Sequence, residues 1–160
     1  LTENHTDFYD KLKAAFFNAG VIFVILPNIS GSRINGATKK VGENIVLMVN
    51  DRRLYADTFW FTLFHEIGHI LSGDYGVSFD MEMGENEKLA DEYARDRLIP
   101  SQQYDEFISH RIFSPQSIKD FSKRIHRDPG IVLGRLQKDG IVGYNDAKMN
   151  ALKTQYKLRS

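Results

Sequence analysis

The fourteen residues from Thr58 to Leu71 constrain this chain more than any other segment. Phe59, Trp60, Phe61, Leu63, Phe64, Ile67, Ile70 and Leu71 make the stretch apolar on nearly every side, so as a helix it belongs in the core. Yet His65, Glu66 and His69 stand in its middle. At about 100° per residue, His69 falls about 40° round from His65 and Glu66 about 100°, so all three share one arc. A buried carboxylate without a partner carries a penalty on the order of several kcal/mol. A divalent cation, held by two imidazoles one turn apart, removes that penalty and gives the burial a reason.

His65-Glu66-x-x-His69 is the zinc-protease pattern, in which Glu66 reaches a water beside the ion and acts as general base. A catalytic zinc takes three protein ligands and leaves its fourth position to water. The chain has no cysteine, so the third ligand must be His, Asp or Glu. The metzincin spacing is excluded, because Ser72 and Tyr75 stand where it requires glycine and histidine. Two carboxylates compete. Asp74 lies just past the helix end and would have to fold back on a short loop. Glu87 opens Glu87-Lys88-Leu89-Ala90-Asp91, in which Glu87 and Asp91 share a helix face that Ala90 keeps thin enough for close helix packing. Asp91 can then accept a hydrogen bond from the non-ligating nitrogen of a histidine, fixing its tautomer. The plain alternative is a solvated acidic face of Glu85, Glu87, Asp91, Glu92 and Asp96.

Around this centre the pattern is α+β, a small, about three-stranded sheet packed on a mainly helical body. Phe8, Leu12, Ala15, Phe16 and Ala19 give residues 6–19 a helical period that ends at Gly20. A strand follows at Val21 to Leu26, then a turn with Asn28, Ser30, Gly31 and Ser32, and strands near Arg33 to Lys40 and Asn44 to Asn50 divided by Gly42. Asp57 is placed as N-cap of the central helix, which closes at Ser72-Gly73. Residues 74–84 read as a loop, Glu85 to Ile99 as a helix stopped by Pro100, and 101–110, 115–126, 129–138 and 146–157 as shorter helices. No linker divides the chain, so residues 1–160 are expected to form a single domain: sheet and central helix over 20–73, third-ligand helix over 85–99, and a C-terminal helical part over 101–160.

The 21 basic and 21 acidic side chains balance, which argues against wholesale binding of nucleic acid or membrane. The balance hides an asymmetry: residues 81–100 carry 3 basic and 6 acidic groups, residues 101–160 carry 11 and 6. The longest early apolar run, Val21 to Leu26, is too short for a signal peptide or a membrane span, and a cytoplasmic protein is expected. A start at Leu1 rather than Met suggests a processed product or an excised segment with something upstream.

HEIGHILSG at 65–73 followed by EKLADEYARDRLIP at 87–100 resembles the ImmA/IrrE family of metallopeptidases, and the Glu-x-x-x-Asp arrangement is similar to that of gluzincins. PGIVLGRLQKDGIV at 129–142 and LKTQY at 152–156 look like the C-terminal segments of members whose peptidase follows an XRE-type helix-turn-helix domain. The resemblance covers residues 35–157. It implies zinc ligands His65, His69 and Glu87 with Glu66 as base, and a substrate among bacterial or phage helix-turn-helix repressors, cut once to release a regulatory switch. The chain departs from the pattern at Leu89, where many members carry Glu, and at Tyr93, where Phe is usual. Neither change removes a ligand.

The expected function is therefore a zinc-dependent endopeptidase in which Glu66 takes a proton from water and delivers it to the leaving amine. Asn44 to Asn50 is either an interior strand or an edge to which an extended substrate adds. Tyr93, Tyr104, His110, His126 and Arg135 are candidates for stabilising the oxyanion. A rival reading takes the basic third as a DNA-binding module: Ile118, Phe121, Ile125, Val132 and Leu136 suggest two short helices around a turn, with Lys119, Lys123, Arg124, Arg127 and Arg135 nearby. An antitoxin-like module with a metal but no proteolysis is the other alternative. A purely structural zinc site would have no need of Glu66.

Overall fold

A computed structural model describes residues 1–3, 5–27, 31, 33–50, 55–79 and 84–156. The architecture is α+β, with the elements α1 (Phe8–Asn18), β1 (Val21–Leu26), β2 (Ile34–Val41), β3 (Asn44–Asn50), α2 (Ala56–Ser72), β4 (Val77–Phe79), α3 (Glu85–Leu98), α4 (Ser101–Ser109), α5 (Pro115–Arg124), α6 (Pro129–Lys138) and the one-turn α7 (Ala147–Asn150). The turn read at Asn28, Ser30 and Ser32 lies outside the described residues, as do residues 80–83 of the expected loop and residue 157 of the expected last helix.

The sheet has four strands in the order β1-β3-β2-β4, one more than the sequence led us to expect. The additional strand, β4, falls inside the expected loop. It pairs antiparallel with β2 through Ala37↔Val77 and Gly36↔Ser78, and three residues are too few to reveal an alternation. β3 is interior, parallel to β1 (Phe23↔Leu47) and antiparallel to β2 (Thr38↔Leu47), so it offers no edge to a substrate. Its hydrophobic side chains explain the position: Leu47 and Val49 are buried. Among the described residues, β4 has no strand on its outer side.

Helix α2 lies in the core as its composition requires, burying Phe59, Trp60 and Leu63 together with His65, Glu66 and His69. It ends where Gly73 takes a left-handed conformation (φ 72°). Its start differs from expectation. The helix begins at Ala56, before Asp57, because the C-terminal segment supplies what a capping side chain would otherwise provide: Ala56 N–H donates to Thr154 O at 2.8 Å and Tyr55 bridges Gln155. Asp57 instead accepts from Lys153 Nζ at 2.7 Å. The same use of backbone cuts the expected helix over 146–157 to α7, since a chain that pairs with Tyr55 and Ala56 cannot also be helical there. Tyr156 closes the core at this end. It packs on Phe8 and Phe59, and its hydroxyl accepts from Trp60 Nε1 at 2.6 Å.

The basic third is built mainly as packing. Helix α5 starts with a capping box at Ser114 and Ser117, and α6 with Asp128 accepting from Gly130 N–H at 2.7 Å. Six of the ten residues of α6, Gly130 to Leu133 and Leu136 to Gln137, are buried, leaving this helix little surface for a DNA groove. Arg127 donates to the backbone oxygens of Leu98 (2.8 Å) and Arg97 (3.0 Å), closing the C-terminus of α3. Lys119, Lys123 and Arg124 remain exposed on α5. No helix among the described residues is long and apolar enough to cross a membrane.

Candidate metal centre

Helices α2 and α3 build the centre, and two small residues decide how close they come. A Cβ on Gly68 would lie 2.9 Å from Ala90 Cα and 3.2 Å from Ala90 Cβ, so only glycine facing alanine permits this approach. Glu87 and Asp91 are thereby carried against His65 and His69. Nε2 of His65 lies 3.0 Å from Nε2 of His69 and 3.0 Å from Glu87 Oε2, and Nε2 of His69 lies 3.2 Å from Glu87 Oε1. Three ligand atoms bound tetrahedrally to zinc at about 2.0–2.1 Å would stand about 3.3 Å apart, close to this spacing.

The outward nitrogens fix the tautomers. His65 Nδ1 is 2.8 Å from Asp91 Oδ1 and His69 Nδ1 is 3.2 Å from Asp74 Oδ2. Ionised carboxylates only accept, so each ring carries its proton on Nδ1 and donates it outward. Two Nε2 lone pairs and the Glu87 carboxylate then converge on one point. Without a metal, a proton on His65 Nε2 can bridge to Glu87 Oε2 at 3.0 Å; with both Nε2 atoms unprotonated, the same set presents three donors to a cation. His65, His69 and Glu87 can hold a metal ion. Asp91 meets His65, one of the two candidate ligand histidines, through its Nδ1. Asp74, the rival ligand, serves the other histidine in the same manner.

Glu66 lies against the sheet, beside Gly36 and Ser78, and within electrostatic reach of His65 and Glu87. It is fully buried, and neither carboxylate oxygen has a hydrogen-bond partner. Burial raises its pKa from 4.5 to about 7; the neighbouring Ser78 hydroxyl and His65 pull it down, while the charge of Glu87 adds to the rise. For His65, burial favours the neutral ring, but the hydrogen bond and charge of Asp91, followed by the charges of Glu66 and Glu87, outweigh it and raise the pKa above 6.5. A carboxyl poised near neutral pH beside a candidate metal site has the acidity a general base needs.

Three residues of the centre escaped the sequence reading. Gly36 on β2 seats Glu66, since a Cβ there would come within 2.7 Å of the Glu66 Cδ. Gly68 sets the helix approach, and Ser78 on β4 faces Glu66. A glycine interrupting the strand over 34–41 was the available signal for the first; nothing in the sequence tied Ser78 to Glu66. Three of the five candidates for oxyanion stabilisation are engaged elsewhere. Tyr104 donates to Asp139 at 2.8 Å, Arg135 pairs with the same carboxylate, and Tyr93 packs under Arg97. His126 is exposed 4.0 Å from Glu3, and His110 is exposed at the end of α4. Compared with known proteins, the chain matches no family model and no curated relative.

Proposed function

We propose that the protein is a zinc-dependent endopeptidase, with His65, His69 and Glu87 holding the metal and Glu66 as general base. The observation that carries this reading is the pairing of a converging two-imidazole, one-carboxylate donor set with a buried, partnerless carboxylate one residue along the same helix. A metal held only for structure gives Glu66 no reason to be buried. Bound there, zinc supplies Lewis acidity and acidifies water near neutral pH. Glu66, buried beside the metal ligands, would accept a proton from the attacking water and return it to the departing amine. Asp91 and Asp74 keep the imidazole protons outward and the Nε2 atoms free. Ser78, on the strand beside Glu66, sits where an extended peptide could add to the outer side of β4.

The substrate proposed is a helix-turn-helix repressor in a bacterial or phage switch, and the compartment the cytoplasm; both rest on the resemblance to ImmA/IrrE metallopeptidases, with the absence of cysteine in keeping with a reducing compartment. Metal analysis of the purified chain and of Glu66→Gln tests the reading. About one zinc per chain is expected in both, with peptide hydrolysis lost only in Glu66→Gln. Hydrolysis that survives Glu66→Gln removes this residue from the mechanism. Zinc lost in Glu87→Ala and kept in Asp74→Ala identifies the third ligand.

A further inference from the structure

One side chain ties the buried carboxylate of Glu66 to the outermost strand. Ser78 lies on β4, 6% exposed, opposite Gly36 of β2, the glycine that seats Glu66. The register of β2 against β4 slips between Ile34 and Gly36, directly beside this pair. Irregularities of that kind gather at sheet edges and next to active sites, where they re-aim a side chain. Against the burial that pushes the Glu66 pKa up to about 7, the Ser78 hydroxyl is the largest opposing influence. Yet no hydrogen bond of full geometry closes between them, and both carboxylate oxygens are left without a donor.

The same strand has backbone to offer. Thr38 N–H donates to Gly76 O at 2.8 Å, and Ser78 stands opposite Gly36. Alternation along the antiparallel ladder therefore turns the backbone of Gly76 and Ser78 towards β2, and the N–H and C=O of Val77 away from it. Among the described residues, no strand takes up that outer side. An extended peptide laid there exchanges two backbone hydrogen bonds with Val77, the residue next to Ser78. A strand of three residues, bonded on one flank, is held by few bonds, and a peptide on the other flank adds to them.

We infer that Ser78 is a positioning residue for Glu66, and that a peptide pairing with Val77 fixes β4 so that the Ser78 hydroxyl donates a closed hydrogen bond to the carboxylate. The general base is then aligned when substrate occupies the strand. This inference rests on the endopeptidase reading and adds to it a link between the substrate backbone and proton transfer. A hydroxyl that only filled space beside Glu66 would affect every substrate alike. A hydroxyl that reports occupancy of β4 matters most for peptides long enough to reach Val77.

Unfolded β-casein serves as the probe, and mass spectrometry of its cut sites supplies a longer and a shorter peptide around one of them. With the zinc-loaded full chain, lengthening the peptide should raise kcat as well as lower KM. Ser78→Ala should lower kcat on the longer peptide about tenfold or more, the worth of a hydrogen bond to a charged group, with zinc content unchanged. In that variant, lengthening should act on KM alone. Hydrogen exchange gives a readout without turnover: in Glu66→Gln, which leaves the peptide intact, the longer peptide should slow exchange at the Val77 amide about tenfold or more and the shorter one should not. A wild-type chain that loads zinc and cuts nothing defeats the endopeptidase reading and this inference with it. Hydrolysis with kcat unchanged in Ser78→Ala, a loss equal on both peptides, or a Val77 amide that the longer peptide leaves unprotected defeats this inference alone.

Discussion

Stability measured between pH 5 and pH 8, for the metal-stripped wild-type chain and for Glu66→Gln, reads directly how strongly the fold resists charge at residue 66. The carboxyl titrates near 4.5 when exposed and near 7 when folded, burial being the main cause. The folded chain therefore holds this proton more tightly than the unfolded chain. Stability is highest below about pH 4.5 and falls as the pH rises through the window up to about 7, where the folded group ionises as well. At roughly 1.36 kcal/mol per pH unit, the loss between pH 5 and pH 8 is about 2–3 kcal/mol. A glutamine of the same shape does not titrate. His65, whose raised pKa also favours the folded state at low pH, is common to both chains and largely cancels in the comparison. For a 160-residue chain the unfolding entropy is about 0.3 kcal/mol/K, so the wild type should lose about 6–9 °C of melting temperature relative to Glu66→Gln over this range. Calorimetric melts in chelator provide the measurement, and added zinc should shrink the difference, because a cation offsets the buried negative charge. Parallel profiles for the two chains in chelator would refute the assignment of Glu66 as a buried, partnerless carboxyl.

Three further substitutions probe the supports of the centre. Gly36→Ala forces a methyl against Glu66 and should destabilise by about 1–3 kcal/mol in urea, displacing the carboxylate while zinc is retained. Gly68→Ala drives α3 away from α2 at backbone level, so zinc affinity and stability should fall together, the latter again by about 1–3 kcal/mol. Asp91→Ala and Asp74→Ala each free one imidazole Nδ1 without removing a ligand; competition with a chelating dye should show zinc affinity reduced about 10–100-fold, and retained affinity in both would reject the tautomer assignment.

Much of the centre was legible because it depends on local chemistry. His65, Glu66 and His69 share an arc of one helix by geometry alone, and an apolar run around them dictates burial. Glu87 and Asp91 were readable as one face of α3, and Ala90 as the small residue between helices, by the same periodicity. Asp74 was harder: the sequence offered it only as a rival ligand that would have to fold back on a short loop, and only the path of the chain after Gly73 shows it accepting from His69 Nδ1. β4 was missed because three residues beside a glycine carry no period. The last helix was overextended because nothing local announces that the backbone at Thr154 and Gln155 is taken by Ala56 and Tyr55.

The sequence by itself determined the helices other than the last, three of the four strands among the described residues and the kind of chemistry the central helix can support, since these follow from periodicity and the incompatibility of bare charge with a core. Tertiary structure decided the strand order, the seat of Glu66 against Gly36, and which carboxylate faces which imidazole nitrogen. Those depend on contacts between residues far apart in the chain, at approaches set by Gly36, Gly68 and Ala90, whose small size is visible in the sequence but whose neighbours are not.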